Sequence, residues 1–295
     1  MTICALASFP ELSCHQQIDT DSLSKIARAF KEATSCIDGW HPKQFGELTN
    51  HSISGLASMF EIFEASATWP EAEQEVITTL IPKEDGGLRP IALFRTAYRV
   101  YAKYRSGEVK TWAKHHSGYQ CNTAQGRCVG DSTWRAQVIT ATDGQQVYSV
   151  EALKDVRKAF EHVRRDQLLD MGVKTGYPLP QLIMSLRSYQ WNRRIHYEGI
   201  VSEVIKPKRG IAAGSAFATF ELWCLLKPAI DRMQKLMPLL TICLHVDDLC
   251  MMAKSKDRLC TLEQMDEALE MAEEEFVVKR GLPFAREKTF IVSSH

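Results

Sequence analysis

The chain has no apolar run approaching the ~20 residues that a membrane-crossing helix needs. It also lacks a basic segment ahead of the apolar residues in its N-terminal "MTICALASFPELSC". Both absences argue against a secreted or membrane-spanning protein and for an intracellular one, nuclear or cytoplasmic. It has no net charge, 36 Lys and Arg balancing 36 Asp and Glu, so the total does not mark a nucleic-acid partner. Internal repeats and low-complexity tracts are missing too, which excludes solenoid and disordered readings. The nine cysteines lack zinc-site spacing: Cys121 and Cys128, like Cys243 and Cys250, have six residues between them, wider than common zinc pairs. An odd number of thiols in an intracellular chain predicts that they stay reduced.

What is present suits a globular protein. Its 295 residues are 45% hydrophobic, enough to bury one large core or two smaller ones. The charge is uneven: Lys83 to Lys114 holds eight basic against three acidic residues, whereas residues 1–82 hold four against eleven. A neutral total can therefore conceal a basic face. Helical periodicity is clear in "DSLSKIARAFKEATS", with Leu23, Ile26, Ala27 and Phe30 on one side, and in "LEQMDEALEMAEEEF", where Leu262, Met265, Leu269, Ala272 and Phe276 form the stripe. Short β-branched runs at "VITTLIP", "QQVYSV", "RRIHYEGI" and "LTICLHV" read as strands. Helices and strands without strict alternation predict an α+β fold.

The stretch "LHVDDLCMMAKS" sets Asp247 and Asp248 side by side between apolar runs. It reads as a tight hairpin with both aspartates at its tip. A solvated turn is one account of the pair. The other is a divalent cation, because adjacent carboxylates in apolar surroundings need a counter-charge and oxygen-only ligation suits Mg2+. A two-metal site needs a third carboxylate, and Asp155 in "LKDVRKAFEHVRRDQLL" ends a strand-like run just before a helix.

The run Asp155 to Val163, "DVRKAFEHV", closely resembles the metal-binding motif of reverse transcriptases of non-LTR, LINE-type retrotransposons, and "HVDD" resembles that family's aromatic-x-Asp-Asp hairpin. Five further stretches resemble family segments in the family's order: "TSCIDGWHPKQFGEL", "LIPKEDGGLRPIALFRTAYRVYAK", "GYQCNTAQGRCVGDSTW", "KRGIAAGSAFATFELWCLL" and "FAREKTFIVS". The resemblance implies a right-hand polymerase fingers and palm, with residues 1–32 a helical extension, 33–145 the fingers and 146–295 the palm. It implies an RNA-directed DNA polymerase that uses an RNA template, a DNA primer and a dNTP, with two Mg2+ ions and Mn2+ as the alternative. Asp155, Asp247 and Asp248 become the catalytic, metal-binding carboxylates, Asp248 in a more supporting role. Lys83, Arg89, Val156, Phe160, Ala213 and Lys288 become nucleotide-binding, with Lys83 and Arg89 on the triphosphate and Phe160 excluding a 2'-hydroxyl.

The same residues have plainer accounts. Lys83 and Arg89 flank a Gly-Gly turn and suit solvated loop charges, Phe160 suits a helix core position, Lys288 suits an exposed lysine, and His245 is structural rather than a ligand. Three departures from the family bear on activity. Ala213 replaces a usual Gln. Lys154 replaces an apolar strand residue and is expected to point out of the sheet, since a buried lysine is costly. The family's thumb, primer grip and endonuclease domain are missing from the sequence, so weak, salt-sensitive duplex binding is expected. The competing expectation is an inactive remnant that at most binds nucleic acid or a protein.

Overall fold

The computed structural model describes residues 17–84, 86–121, 138 and 147–294. The N-terminal stretch, Cys128 and most of the "GYQCNTAQGRCVGDSTW" loop lie outside the described residues. The chain forms two compact units, residues 1–109 with 169–218, and 110–168 with 219–295. Each unit is discontinuous in sequence, because a strand from the later region pairs into the first unit.

In the first unit that strand is β4 (Asn192–Tyr197), which lies parallel to β1 (Glu75–Pro82). On the other side of β1, β2 (Leu88–Leu93) runs antiparallel, and β5 (Ile200–Val201) completes the sheet order β2-β1-β4-β5. Among the described residues, α1 (Thr20–Arg28), α2 (Pro42–Gly46) and α3 (Asn50–Ser66) precede the sheet. Helix α1 starts where the Asp19 carboxylate accepts from Ser22 N–H and ends well short of the periodic stretch that predicts it, with Leu23 and Ala27 buried. The core is aromatic. Trp69 meets Phe60, Tyr98, Tyr101 and Trp191 at ring-centroid distances of 5.9, 5.3, 5.2 and 6.1 Å. Beside it the Arg105 guanidinium grips Glu64 through two 2.6 Å bonds, both side chains buried. Such a pair is costly to break, since either partner left alone is an uncompensated buried charge.

The second unit is built on an antiparallel sheet of order β6-β7-β3-β8: β6 (Thr241–His245), β7 (Asp248–Ser255), β3 (Tyr148–Asp155) and β8 (Phe290–Ser293). Strand alternation separates its faces. Val150, Ala152 and Lys154 of β3 share a face with Leu249, Met251 and Ala253 of β7 and with Ile242 and Leu244 of β6, and all are buried. A helix over Arg258–Ala272 packs on β3 and β7.

Two expectations are corrected here. Met265, Ala272 and Phe276 of the expected stripe are buried, but Thr261 and Ala268 complete that face while Leu262 is exposed; small residues let the helix lie close to the sheet. Lys154 does not point out. It is 7% exposed, because the parity set by Val150 and Ala152 sends it inward. Its ammonium is satisfied there by Glu273 Oε1 at 2.7 Å and by the Phe284 ring, 4.3 Å from its centroid.

Candidate active site

Asp155 closes β3, Asp248 opens β7, and the two are direct register partners. His245 is the partner of Asp248 on β6. Paired positions project to one side of a sheet, so His245, Asp248 and Asp155 form a row across three strands on the face opposite the helix. Asp247 sits beside that row in the two-residue turn between β6 and β7. The turn forces Val246 to φ 58°, a left-handed backbone that a β-branched residue adopts only under strain.

Main-chain bonds fix the corner after Asp155. Val156 N–H donates to the Asp247 carbonyl at 3.0 Å, Arg157 N–H to Pro283 at 2.8 Å, and Ala285 N–H to Asp155 at 2.8 Å. Val156 is buried and bridges to Phe284. Phe160 lies on a short helix (Ala159–His162) and stays half-buried, whereas Ala159 and Val163 are buried; part of its ring remains accessible. Lys288 brings its ammonium to 3.5 Å from Asp155 Oδ2.

Like charges crowd at this corner. Burial, then the Asp248 and Asp155 carboxylates, push Asp247 up from 3.8 to about 6, against the pull of Lys288. Burial and Asp155 also raise Asp248, opposed by His245 and Lys288. One row further from the turn, Cys243 and Cys250 are register partners. The Cys250 thiol donates to Glu151 Oε1 at 3.1 Å, and burial, Glu151 and Cys243 hold it far above its ordinary pKa.

The donor chemistry of Asp155, Asp247 and Asp248 fits a hard divalent cation, which would relieve the repulsion among them. Their side chains are not drawn into a chelate: among the described residues, no group of three or more His, Cys, Asp or Glu is placed to hold a metal ion. Lys288 supplies the counter-charge to Asp155 instead.

The other expected site residues belong to the first unit. Lys83 follows β1 and its N–H bonds to the Gly87 carbonyl at 3.1 Å, while Arg89 pairs with Ile81 in the β1–β2 register. Lys83 and Arg89 therefore share one face of the hairpin, and neither forms an ion pair with another described residue. Ala213 holds its loop on β2 by accepting from Ala92 N–H at 2.6 Å. The next residue, Gly214, has φ 106°, and a Cβ there would stand 2.5 Å from the Ala92 carbonyl oxygen. Sequence reasoning missed the need for this glycine, because the backbone it approaches lies far away in sequence. It also missed Glu273, the partner of Lys154, which the acidic run "EEE" conceals.

A carboxylate-lined hairpin at the end of an antiparallel sheet, with the helix packed on the opposite face, defines the palm of a right-hand nucleic-acid polymerase. The family model described as reverse transcriptase (RNA-dependent DNA polymerase) matches residues 81–295, and the chain belongs to that family. Its fold is similar to two solved structures from Candida tropicalis, each 14% identical in sequence. One is apo telomerase truncated from the C-terminal domain, with a TM-score of 0.56 over 92% of this chain and 60% of that one. The other is apo telomerase, with a TM-score of 0.54 over 84% of this chain and 49% of that one. The chain thus spans about half to three fifths of the length of these structures. No curated protein matches it. Among the described residues, no helix is long and apolar enough to cross a membrane.

Proposed function

We propose that the chain is the reverse transcriptase domain of a non-LTR retroelement, adding a deoxynucleotide to a primer 3'-hydroxyl on an RNA template inside the cell. The observation that carries this reading is the main-chain bond that holds the Asp155 and Asp247 corners together, with Asp248 in register beside Asp155. Asp155 and Asp247 are the groups to hold Mg2+, with Asp248 supporting. Two such ions, when bound, activate the primer hydroxyl and neutralise the triphosphate. Lys83 as a point charge and Arg89 as a forked donor supply fixed positive charge for the triphosphate. The accessible part of Phe160 is the surface that a 2'-hydroxyl would meet, and Lys288 offsets charge at Asp155. Residues 33–145 act as fingers and 146–295 as palm.

One observation favours the second reading, a remnant without activity: the three carboxylates are not gathered into a metal-holding group. Extension of an annealed DNA primer on an RNA template, with and without Mg2+ or Mn2+, decides between them. The polymerase reading expects metal-dependent extension that Asp155→Asn and Asp247→Asn each lower by at least about 10²-fold. Template binding without extension in either metal establishes the remnant.

A further inference from the structure

Cys243 and Cys250 attract no notice as a metal pair, since six residues separate them in sequence. The hairpin brings them face to face. They are direct partners in the β6–β7 register, two positions back from His245 and Asp248. Both are thiols in the structure. Directly opposed residues on antiparallel strands have Cα atoms roughly 4.5–5.5 Å apart, inside the span of roughly 4.4–6.8 Å that a disulfide bridges. Cys250 is half-buried and reachable from solvent, whereas Cys243 is 7% exposed.

We infer that Cys243 and Cys250 form a reversible disulfide that locks the aspartate turn. The inference stands on the register and does not use the polymerase reading. A small-molecule disulfide of the glutathione type is the oxidant. Thiol–disulfide exchange joins the Cys250 sulfur to one sulfur of that disulfide, forming a mixed disulfide and releasing one small thiol, which carries off the Cys250 proton. The Cys243 sulfur then attacks the Cys250 sulfur, the protein disulfide forms, and the second small thiol leaves with the second proton. Two protein thiols are oxidised and one small disulfide is reduced to two thiols. The order follows exposure: the reachable sulfur is capped and the sheltered one resolves it.

The closed ring spans residues 243–250 and contains the strained Val246 together with Asp247 and Asp248. A cross-link at its base, in place of the thiol's bond to Glu151, holds the arms of the turn together and limits its opening.

The test treats the full chain with oxidised glutathione, blocks the remaining thiols, digests with trypsin without reductant and weighs the peptides. Both cysteines fall on one tryptic peptide, 236–254. The expected result is that this peptide loses two hydrogen masses and gains no glutathione, and that dithiothreitol reverses the change. Cys243→Ser should leave glutathione on Cys250. In the oxidised wild type, amide hydrogen exchange across 246–249 should slow by roughly tenfold. A peptide with two blocked thiols, one carrying glutathione alone, or one joined to a different peptide overturns the disulfide. Unchanged exchange in the oxidised chain overturns the lock.

Discussion

Val156 donates its backbone N–H to the Asp247 carbonyl at 3.0 Å, so the chain reversals that carry Asp155 and Asp247 are joined main chain to main chain. The carboxylates cannot relax their repulsion by drifting apart. They relieve it by taking up a proton, by Lys288 or by a cation.

The proton gives a pH dependence with a definite sign. Asp247 titrates at about 6 in the folded chain against 3.8 ordinarily, so the folded state holds the proton more tightly than the unfolded one. The resulting stability is complete below about pH 4 and is lost as pH rises through 6. In EDTA, urea unfolding of the wild type should show a loss on the order of 1–2 kcal/mol between pH 4 and 7.5, after discounting for solvent screening. Asp247→Asn should flatten that part of the slope and be the more stable protein at pH 7.5. Identical slopes for the two would mean that Asp247 carries no such load.

A cation should act in the opposite direction. Millimolar Mg2+ at pH 7.5 is expected to raise the Tm of the wild type, and to raise that of Asp247→Asn by less than half as much, because binding to the folded state alone stabilises it. Calorimetric scans with Mg2+ and with EDTA provide the comparison.

Lys154 and Glu273 should respond unequally. Glu273→Ala leaves a buried ammonium with only the Phe284 ring beside it, and is expected to cost about 2–4 kcal/mol. Lys154→Met removes the charge and keeps the volume, and Glu273 is half-exposed to water, so that change should fall within about 1 kcal/mol of wild type. Denaturant midpoints for both variants and the double variant measure the difference; equal losses would refute it.

Gly214→Ala combines φ 106° with a Cβ 2.5 Å from the Ala92 carbonyl oxygen. A loss of roughly 2–4 kcal/mol is expected, read from urea unfolding, whereas Ala213→Gln at the neighbouring position should leave stability nearly unchanged.

Val246→Asn should stabilise the chain. Asn tolerates a positive φ that β-branched residues resist, and the gain should be on the order of 1 kcal/mol. A lower Tm for this variant would show that burial of the valine outweighs its backbone strain.

Strands and carboxylates were largely legible in the sequence. The apolar runs on both sides of Asp247 could only pair back on themselves, and Asp155 stands where strand alternation gives way to "RKAF". Lys154 shows what was not legible. Alternation tells that Leu153 and Lys154 face oppositely, but which of them goes inside depends on the helix that covers Val150 and Ala152, and the buried position went to the lysine. The same helix presents Thr261 and Ala268 rather than Leu262, because closeness to the sheet outweighs the greater hydrophobicity of leucine. Gly214 answers to Ala92, more than a hundred residues earlier, and no local pattern records that approach.

The interleaving of the two units also dictates an order of assembly on the ribosome. Strand β1 emerges long before β4, with which it pairs, and β3 must wait first for β7 and then for β8 near residue 290. Each sheet therefore closes only after a long stretch of chain has followed its first strand, so loop-closure entropy is met late. Until then β3, already carrying Asp155, is an unpaired strand whose inward-facing Val150 and Ala152 are open to other chains. The exposure of that strand until its partners arrive is the consequence of that topology.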